Sequence, residues 1–172
     1  MGGVEAVTGR FAAAWTSRSA KETFRAGARL GRLLAPGDVV ALSGELGAGK
    51  TQLVRGACQG AKVPPGEVSS PSFAIVATYH GRIPVHHADL YRIADHDELY
   101  ATGFFDLGDG AMLVEWADRI PGAMPAERLD IRLAHGVRPS DRRVEIEGSG
   151  ERHAALARAW RDAVRRSARR RR

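Results

Sequence analysis

Eight residues at positions 44–51, GELGAGKT, combine three glycines with a lysine and a threonine. They satisfy the pattern G-x-x-x-x-G-K-[ST], in which a glycine-rich loop wraps around phosphate groups. Glycines allow backbone conformations that other residues resist, so that successive N–H groups can point toward one anion. Lys50 would face the β- and γ-phosphates, and the Thr51 hydroxyl would ligate Mg²⁺. The motif therefore predicts a site for a nucleoside triphosphate.

The segments on either side of this loop agree with that interpretation. VVALS at residues 39–43 is a short apolar run that predicts a strand, and residues 51–60 predict a helix. The N-terminal end of such a helix attracts anions. A glycine-rich turn that matched the pattern by chance would not need this context. We expect nucleotide contacts from the loop and the residue after it: Gly44, Glu45, Leu46, Gly47, Ala48, Gly49, Lys50, Thr51 and Gln52.

Two acids stand where further strands would end. Asp89 follows IPVHHA, and Glu115 follows AMLV. If both strands lie parallel to residues 39–43, their carboxyl ends open into one ligand crevice. One carboxylate would hold Mg²⁺, and the other would orient the attacking water. The alternative is that one of the two acids is only a salt-bridge partner.

Other residue types narrow the ligand. Guanine-specific GTPases commonly carry an N-K-x-D stretch, and the chain contains no asparagine, so we expect adenine. His86 and His87 alternate on a predicted strand and should point to opposite faces, which argues against joint metal binding. A packed or surface role is favoured for both. Cys58 lacks a base partner in the sequence and is predicted to be a small core residue.

Composition and charge divide the chain unevenly. Its 172 residues suit one domain, and strands mixed with helices predict an α/β sheet with helices outside. Residues 158–172 hold eight of the 26 basic residues and one of the 20 acidic residues, so residues 1–157 are nearly neutral. We expect a P-loop ATPase domain at 1–157 and a basic, partly disordered tail at 158–172. This tail could also contact nucleic-acid phosphates without reading their sequence.

The cysteine count and the lack of a targeting segment indicate in which cellular compartment the protein is expected. The single cysteine suits a reducing compartment, and no segment resembles a signal peptide or a membrane span. A soluble cytoplasmic protein without membrane contact is expected.

Five segments occur in a fixed order: GELGAGKT, SSPSF, HADLYRI, ELYATGFFD and LVEWADRIP. Together they resemble the TsaE family (formerly YjeE), the P-loop ATPases of bacterial tRNA threonylcarbamoyladenosine biosynthesis. The resemblance covers residues 19–146. It implies an α/β P-loop NTPase fold with a mixed central sheet flanked by helices. It also implies ATP and Mg²⁺ as cofactors, slow hydrolysis, and action with TsaB and TsaD, of which TsaD transfers the threonylcarbamoyl group to adenosine beside the anticodon.

The resemblance assigns roles to individual positions. Lys50 and Thr51 match the P-loop lysine and the Mg²⁺-ligating threonine. Asp89 matches a Walker-B-like acid, and Glu115 matches a second required acid that contacts Mg²⁺. We therefore expect Lys50, Asp89 and Glu115 to be catalytic, and Thr51, Asp89 and Glu115 to hold the metal.

Three further positions follow from the same resemblance. Thr23 matches a threonine near the nucleotide, and SSPSF matches a switch-like loop in which Ser72 replaces the usual threonine. A late arginine near the base is matched by Arg142 or Arg143, and we expect Arg143 to contact the nucleotide. Two other functions stay open: a small-molecule kinase on the P-loop scaffold, and an RNA-binding module regulated by ATP.

Overall fold

Seven strands and four helices make up the computed structural model, which describes residues 9–69 and 74–169. The strands are β1 (Arg10–Ser17), β2 (Val39–Gly44), β3 (Val76–His80), β4 (Pro84–Asp89), β5 (Ala111–Glu115), β6 (Leu129–His135) and β7 (Arg142–Ser149). The helices are α1 (Ala20–Leu33), α2 (Lys50–Gly60), α3 (His96–Ala101) and α4 (Glu151–Arg169), and two 3-10 turns lie at Phe104–Asp106 and Ala117–Arg119. In the described ranges, none of the helices is long and apolar enough to cross a membrane.

All seven strands form one sheet in the order β1-β7-β6-β2-β5-β4-β3. The four central strands β6, β2, β5 and β4 are parallel, and the flanking pairs β1–β7, β7–β6 and β3–β4 are antiparallel. This arrangement confirms the predicted α/β fold with a mixed sheet. The carboxyl ends of β2, β4 and β5 therefore meet at one edge of the sheet.

The two faces of the sheet are covered by different helices. On one face, Val40 and Leu42 pack into a core shared with α1, α2 and α4. On the other face, Ala41 and Val114 pack beneath α3 and the two 3-10 turns. Cys58 is buried in the first core, as predicted, and burial raises the pKa of its thiol to about 12.

The start of α1 is fixed by a capping box. The Ser19 side chain accepts a hydrogen bond from the Glu22 N–H at 3.1 Å, while the Glu22 carboxylate accepts one from the Arg18 N–H at 2.8 Å. These contacts satisfy backbone donors that the helix itself leaves unpaired. The helix consequently begins at a fixed place beside the sheet.

Strand β1 was not predicted from the sequence. Its residues, RFAAAWTS, are rich in alanine, which has a low strand preference. Phe11, Ala13 and Trp15 nevertheless pack against the core, while the alternate residues are exposed. Pairing with β7 along all eight residues makes this segment a strand.

Helix α4 continues through residue 158, where a separate tail was predicted to begin. Trp160 is fully buried, its Nε1 donates to the Ala26 carbonyl at 2.8 Å, and its ring meets Trp15 edge-on at 5.1 Å. The arginines on the opposite side hid this apolar stripe when charge alone was counted. The boundary at 157/158 thus lies inside a packed helix, and residues 170–172 lie outside the described ranges.

Replacing Trp160 should test whether α4 belongs to the core. We expect Trp160→Ala to lower the free energy of unfolding by about 3–5 kcal/mol, since it removes a buried ring and a hydrogen bond. The exposed Arg166→Ala on the same helix should change it by less than about 0.5 kcal/mol. Urea denaturation measures both values. Equal effects of the two variants would contradict the packing described above.

Candidate nucleotide-binding site

The loop between β2 and α2 is shaped by its glycines. Gly44, Gly47 and Gly49 have φ values of 139°, 75° and 100°, in the region that side chains resist. A Cβ atom on Gly44 would lie 2.1 Å from the Leu133 carbonyl oxygen, so this position is also closed to side chains by sterics. Gly49 caps α2 without a side-chain hydrogen bond. The first N–H groups of α2 therefore remain directed at the loop, as a phosphate site requires.

Lys50 is held inside this loop and is only 4% exposed. Its ammonium donates hydrogen bonds to the carbonyls of Gly44 at 2.6 Å and Glu45 at 2.9 Å, and it lies 4.0 Å from the centre of the Trp116 ring. Burial lowers the pKa of Lys50, and the negative charge of Glu115 opposes that shift. A phosphate in the loop would bring the ammonium further negative charge at short range.

Glu115 lies at the end of β5 and is 2% exposed. Its Oε2 accepts a hydrogen bond from the Thr51 hydroxyl at 2.9 Å. Its Oε1 lies 2.8 Å from Nε2 of His87. The carboxylate thus joins the start of α2 to β4.

Asp89 is the register partner of Glu115 on the neighbouring parallel strand. Its Oδ1 accepts a hydrogen bond from the Tyr91 N–H at 2.9 Å. The pKa of Asp89 is raised chiefly by burial; the Tyr91 N–H opposes the shift, and the nearby Glu115 adds to it. Two carboxylates so placed repel each other, and a divalent cation between them would relieve that repulsion.

These groups line one cleft of about 360 Å³ at the carboxyl edge of the parallel strands. Its lining comprises Leu46, Gly47, Gly49, Lys50, Thr51, Gln52, Asp89, Tyr91, Glu115 and Trp116. In the parts of the chain that the structure describes, no group of three or more His, Cys, Asp or Glu could hold a metal alone. The available oxygen donors fit Mg²⁺, which binds through one or two carboxylates together with substrate phosphates.

Thr23 and Arg143 lie outside this lining. Thr23 is 1% exposed, and its hydroxyl is hydrogen-bonded to that of Ser17 at 2.8 Å. Its methyl carbon lies 3.6 Å from the place of a Cβ on Gly49, so Thr23 packs beside the loop.

Arg143 turns away from the loop and pairs with Glu145 at 2.6 Å. Arg142 instead donates to the Gly47 carbonyl at 3.2 Å. Adjacent residues of a strand point to opposite faces, so a shift of one residue exchanges their environments. Of the two arginines that the resemblance offered, Arg142 therefore lies beside the loop and Arg143, which was expected to contact the nucleotide, does not.

The charged groups of the cleft were predicted from the sequence, but part of their surroundings was not. Tyr91 and Trp116, which line the cleft, pack with tilted rings whose centroids are 4.9 Å apart, and Trp116 has a left-handed φ of 56°. His87 was assigned only a packed or surface role, although its alternation with His86 puts one of the two on the face of Glu115.

Of the switch-like SSPSF segment, residues 70–73 lie outside the described ranges.

Comparisons with known proteins agree with this geometry. The family profile described as threonylcarbamoyl adenosine biosynthesis protein TsaE matches residues 17–144. A relative from Treponema pallidum, named tRNA threonylcarbamoyladenosine biosynthesis protein TsaE, is 40% identical over 68% of this chain and 87% of its own length. One of the same name from Bacillus subtilis is 36% identical over 83% of this chain and 89% of its own.

A solved structure gives the same result for the fold. The crystal structure of YdiB from Bacillus subtilis superposes with a TM-score of 0.74 at 29% identity, covering 90% of this chain and 97% of that one. The profile spans most of the chain, including the loop, Asp89 and Glu115. The protein is a P-loop NTPase by fold, and it belongs to the TsaE family.

Proposed function

We propose that this protein binds ATP with Mg²⁺, hydrolyses it slowly, and is required for forming threonylcarbamoyladenosine in tRNA. The observation that carries the proposal is the convergence of Lys50, Thr51, Asp89 and Glu115 on one cleft, in a chain of the TsaE family. The tRNA modification in this proposal is inferred from the names of its relatives. The cleft supplies the chemistry by which ATP would be used.

Each group has a distinct task in this proposal. Lys50 carries the charge that faces the β- and γ-phosphates, and the loop N–H groups surround them. Thr51, Asp89 and Glu115 would hold Mg²⁺, which would neutralise charge on the phosphate oxygens. Among the residues that the structure describes, Asp89, whose pKa is raised by burial, accepts a hydrogen bond from Tyr91 at one oxygen, and its other oxygen would orient a water molecule.

The partners in this proposal are TsaB and TsaD, with the protein acting as their ATPase subunit in the cytoplasm. The kinase alternative requires a lid that closes over an acceptor substrate. Residues 97–109 do not have that form, because Leu99 and Phe104 are buried against the sheet. This packing favours a subunit whose client is another protein.

Removing the loop lysine should abolish tight ATP binding. We expect Lys50→Ala to weaken ATP binding by about 10- to 100-fold, the equivalent of one charge-assisted hydrogen bond. The exposed Lys21→Ala serves as the control and should bind normally. Titration calorimetry with ATP and Mg²⁺ measures both. Equal affinity of Lys50→Ala and the wild type would overturn the site assignment.

ATP hydrolysis measured alone and with TsaB and TsaD from the same source tests the function itself. We expect the pair to stimulate hydrolysis. Glu115→Gln, which keeps the shape of the side chain but removes the charge that holds the metal, should still bind ATP at saturating Mg²⁺ and lose about 100-fold of the stimulated rate. Absence of stimulation, with phosphate transferred to an added small-molecule acceptor, would favour the kinase instead.

We further propose a direct tRNA contact through α4. Arg158, Arg161, Arg165 and Arg169 recur at intervals of three and four residues and therefore share one side of the helix. The other side is occupied by the protein core, through Leu156 and Trp160. Since no apolar side of α4 is left for lipid, the phosphate backbone of an RNA fits this arginine row better than a membrane does.

Neutralising the arginine row should weaken tRNA binding. We expect the quadruple Arg→Gln variant at 158, 161, 165 and 169 to lower the slope of log affinity against log salt by about 0.9 for each duplex phosphate that it no longer neutralises. The control carries four Gln at the exposed positions Lys21, Arg32, Arg55 and Lys62, which gives the same net charge. Fluorescence anisotropy with labelled tRNA measures both. Equally weakened binding by the two variants, or arginine-dependent binding to anionic vesicles alone, would exclude a specific tRNA surface.

A further inference from the structure

His87 on β4 contacts one of the two acids of the cleft without lining the cleft itself. Its side chain is fully buried, and its Nε2 lies 2.8 Å from Oε1 of Glu115. A carboxylate oxygen only accepts hydrogen bonds, so Nε2 carries the hydrogen in this contact. The other oxygen of Glu115 faces the Thr51 hydroxyl at 2.9 Å. One carboxylate is thus held from both sides.

The second ring nitrogen of His87 argues against a purely structural role. Nδ1 is buried and has no hydrogen-bond partner among the residues that the structure describes. A buried polar atom without a partner is unfavourable, and an apolar side chain of similar size would avoid it. The contact that distinguishes histidine from such a residue is the hydrogen bond from Nε2 to Glu115.

His86, the neighbouring residue, provides the contrast. It is also buried, at 3% exposed, but both of its ring nitrogens are partnered: Nδ1 with the Thr78 hydroxyl at 2.9 Å, and Nε2 with the Asp109 carbonyl at 3.1 Å. These contacts join β4 to β3 and to the segment before β5. Because strand residues alternate, His86 makes them on the face opposite Glu115.

The orientation of the His87 ring is restricted by its neighbours. Tyr79 on β3 packs against it with ring centroids 6.4 Å apart, and the Tyr79 hydroxyl donates to the Ser69 carbonyl at 2.9 Å. The register of β4 and β5 pairs His87 with Leu113, two residues before Glu115. The ring therefore reaches the Glu115 carboxylate from the position beside Leu113, on the face of the sheet that both residues share.

We infer that His87 is a positioning residue: it orients the Glu115 carboxylate so that Oε2 is directed at Thr51 and the Mg²⁺ position. The inference rests on the proposed function, in which Thr51 and Glu115 hold Mg²⁺ beside ATP. Hydrogen-bond partners of metal-binding side chains fix the ligand geometry, and their loss commonly costs 10- to 100-fold in metal affinity or activity. His87 would act in this way on Mg²⁺-dependent binding of the nucleotide, not on the nucleotide directly.

The test compares His87→Leu, His87→Gln and His86→Leu. Gln can place its amide N–H near the position of Nε2 and donate to Glu115, whereas Leu cannot. The affinity for a fluorescent ATP analogue is measured over a series of Mg²⁺ concentrations, including chelator alone, together with kcat, KM and the unfolding temperature. The chelator measurement separates nucleotide binding from metal binding.

For His87→Leu, we expect the Mg²⁺ concentration for half-maximal strengthening of nucleotide binding to rise about 10- to 100-fold and kcat to fall in step. Affinity in chelator should stay near that of the wild type. His87→Gln should recover most of both effects. His86→Leu should lower the unfolding temperature while leaving the Mg²⁺ dependence unchanged.

Two results would overturn the inference. One is a Mg²⁺ dependence of His87→Leu that matches His86→Leu, and the other is a His87→Gln variant no better than His87→Leu. If the wild type binds the nucleotide in a Mg²⁺-dependent way, either result excludes the role of His87 but leaves the proposed metal site in place. A wild type without Mg²⁺-dependent nucleotide binding would instead remove the proposed metal site, and this inference with it.

Discussion

The carboxylate of Glu115 is buried at the end of β5, where it is accessible to little solvent and must find its hydrogen bonds within the protein. It accepts them from Thr51 at the start of α2 and from His87 on β4. Removing either partner would leave the buried charge incompletely paired and would strongly destabilise the fold. The positions of β5, β4 and the loop are consequently fixed relative to one another by the same group that is proposed to hold the metal. The rest of the cleft is built around that requirement.

Lys50 is a buried charge of the opposite sign, and it too needs its partners within the protein. Its ammonium is buried between two loop carbonyls, the face of Trp116 and the acids of the cleft. Trp116 reaches this place in a left-handed backbone conformation, which costs on the order of 1–3 kcal/mol for a bulky residue. Such strain is maintained only where surrounding contacts impose it, and here those contacts include Lys50, Tyr91, the core beneath α3 and the Arg119 N–H. Phosphates entering the loop must compete with the carbonyls and the ring for the same charge.

Much of this arrangement could be predicted from the sequence, because it depends on local patterns. The P-loop has a fixed spacing, and Asp89 and Glu115 each end an apolar strand, so the parallel order of β2, β5 and β4 was enough to bring them together. What the sequence could not predict depended on single-residue register or on distant packing. Arg142 and Arg143 differ by one position on a strand, and only pairing with β1 and β6 decides which of them faces the loop.

The same distinction explains β1, α4 and His87. Alanines in β1 carry little strand preference, and β1 forms through its pairing with β7, far along the chain. The arginines of α4 dominate a count of charges, while the burial of Trp160 against Ala26 and Trp15 depends on elements more than 130 residues earlier. Alternation predicted that His86 and His87 face opposite sides, but not which side holds Glu115. Sequence patterns thus predicted which charged residues meet in the cleft better than the packing that supports them.

The topology also decides where the arginine row of α4 lies. β7 runs antiparallel to β6, which is parallel to β2, so α4 begins at the sheet edge opposite the cleft and runs back toward it. Arg165 accordingly lines a groove with Thr16 and Ser17, at the carboxyl end of β1. The Ser17 hydroxyl in turn is hydrogen-bonded to that of Thr23, whose methyl group lies beside Gly49 of the loop. Because the last turns of α4 and the phosphate loop share this edge, an RNA backbone on α4 would approach the protein from the side on which ATP is proposed to bind.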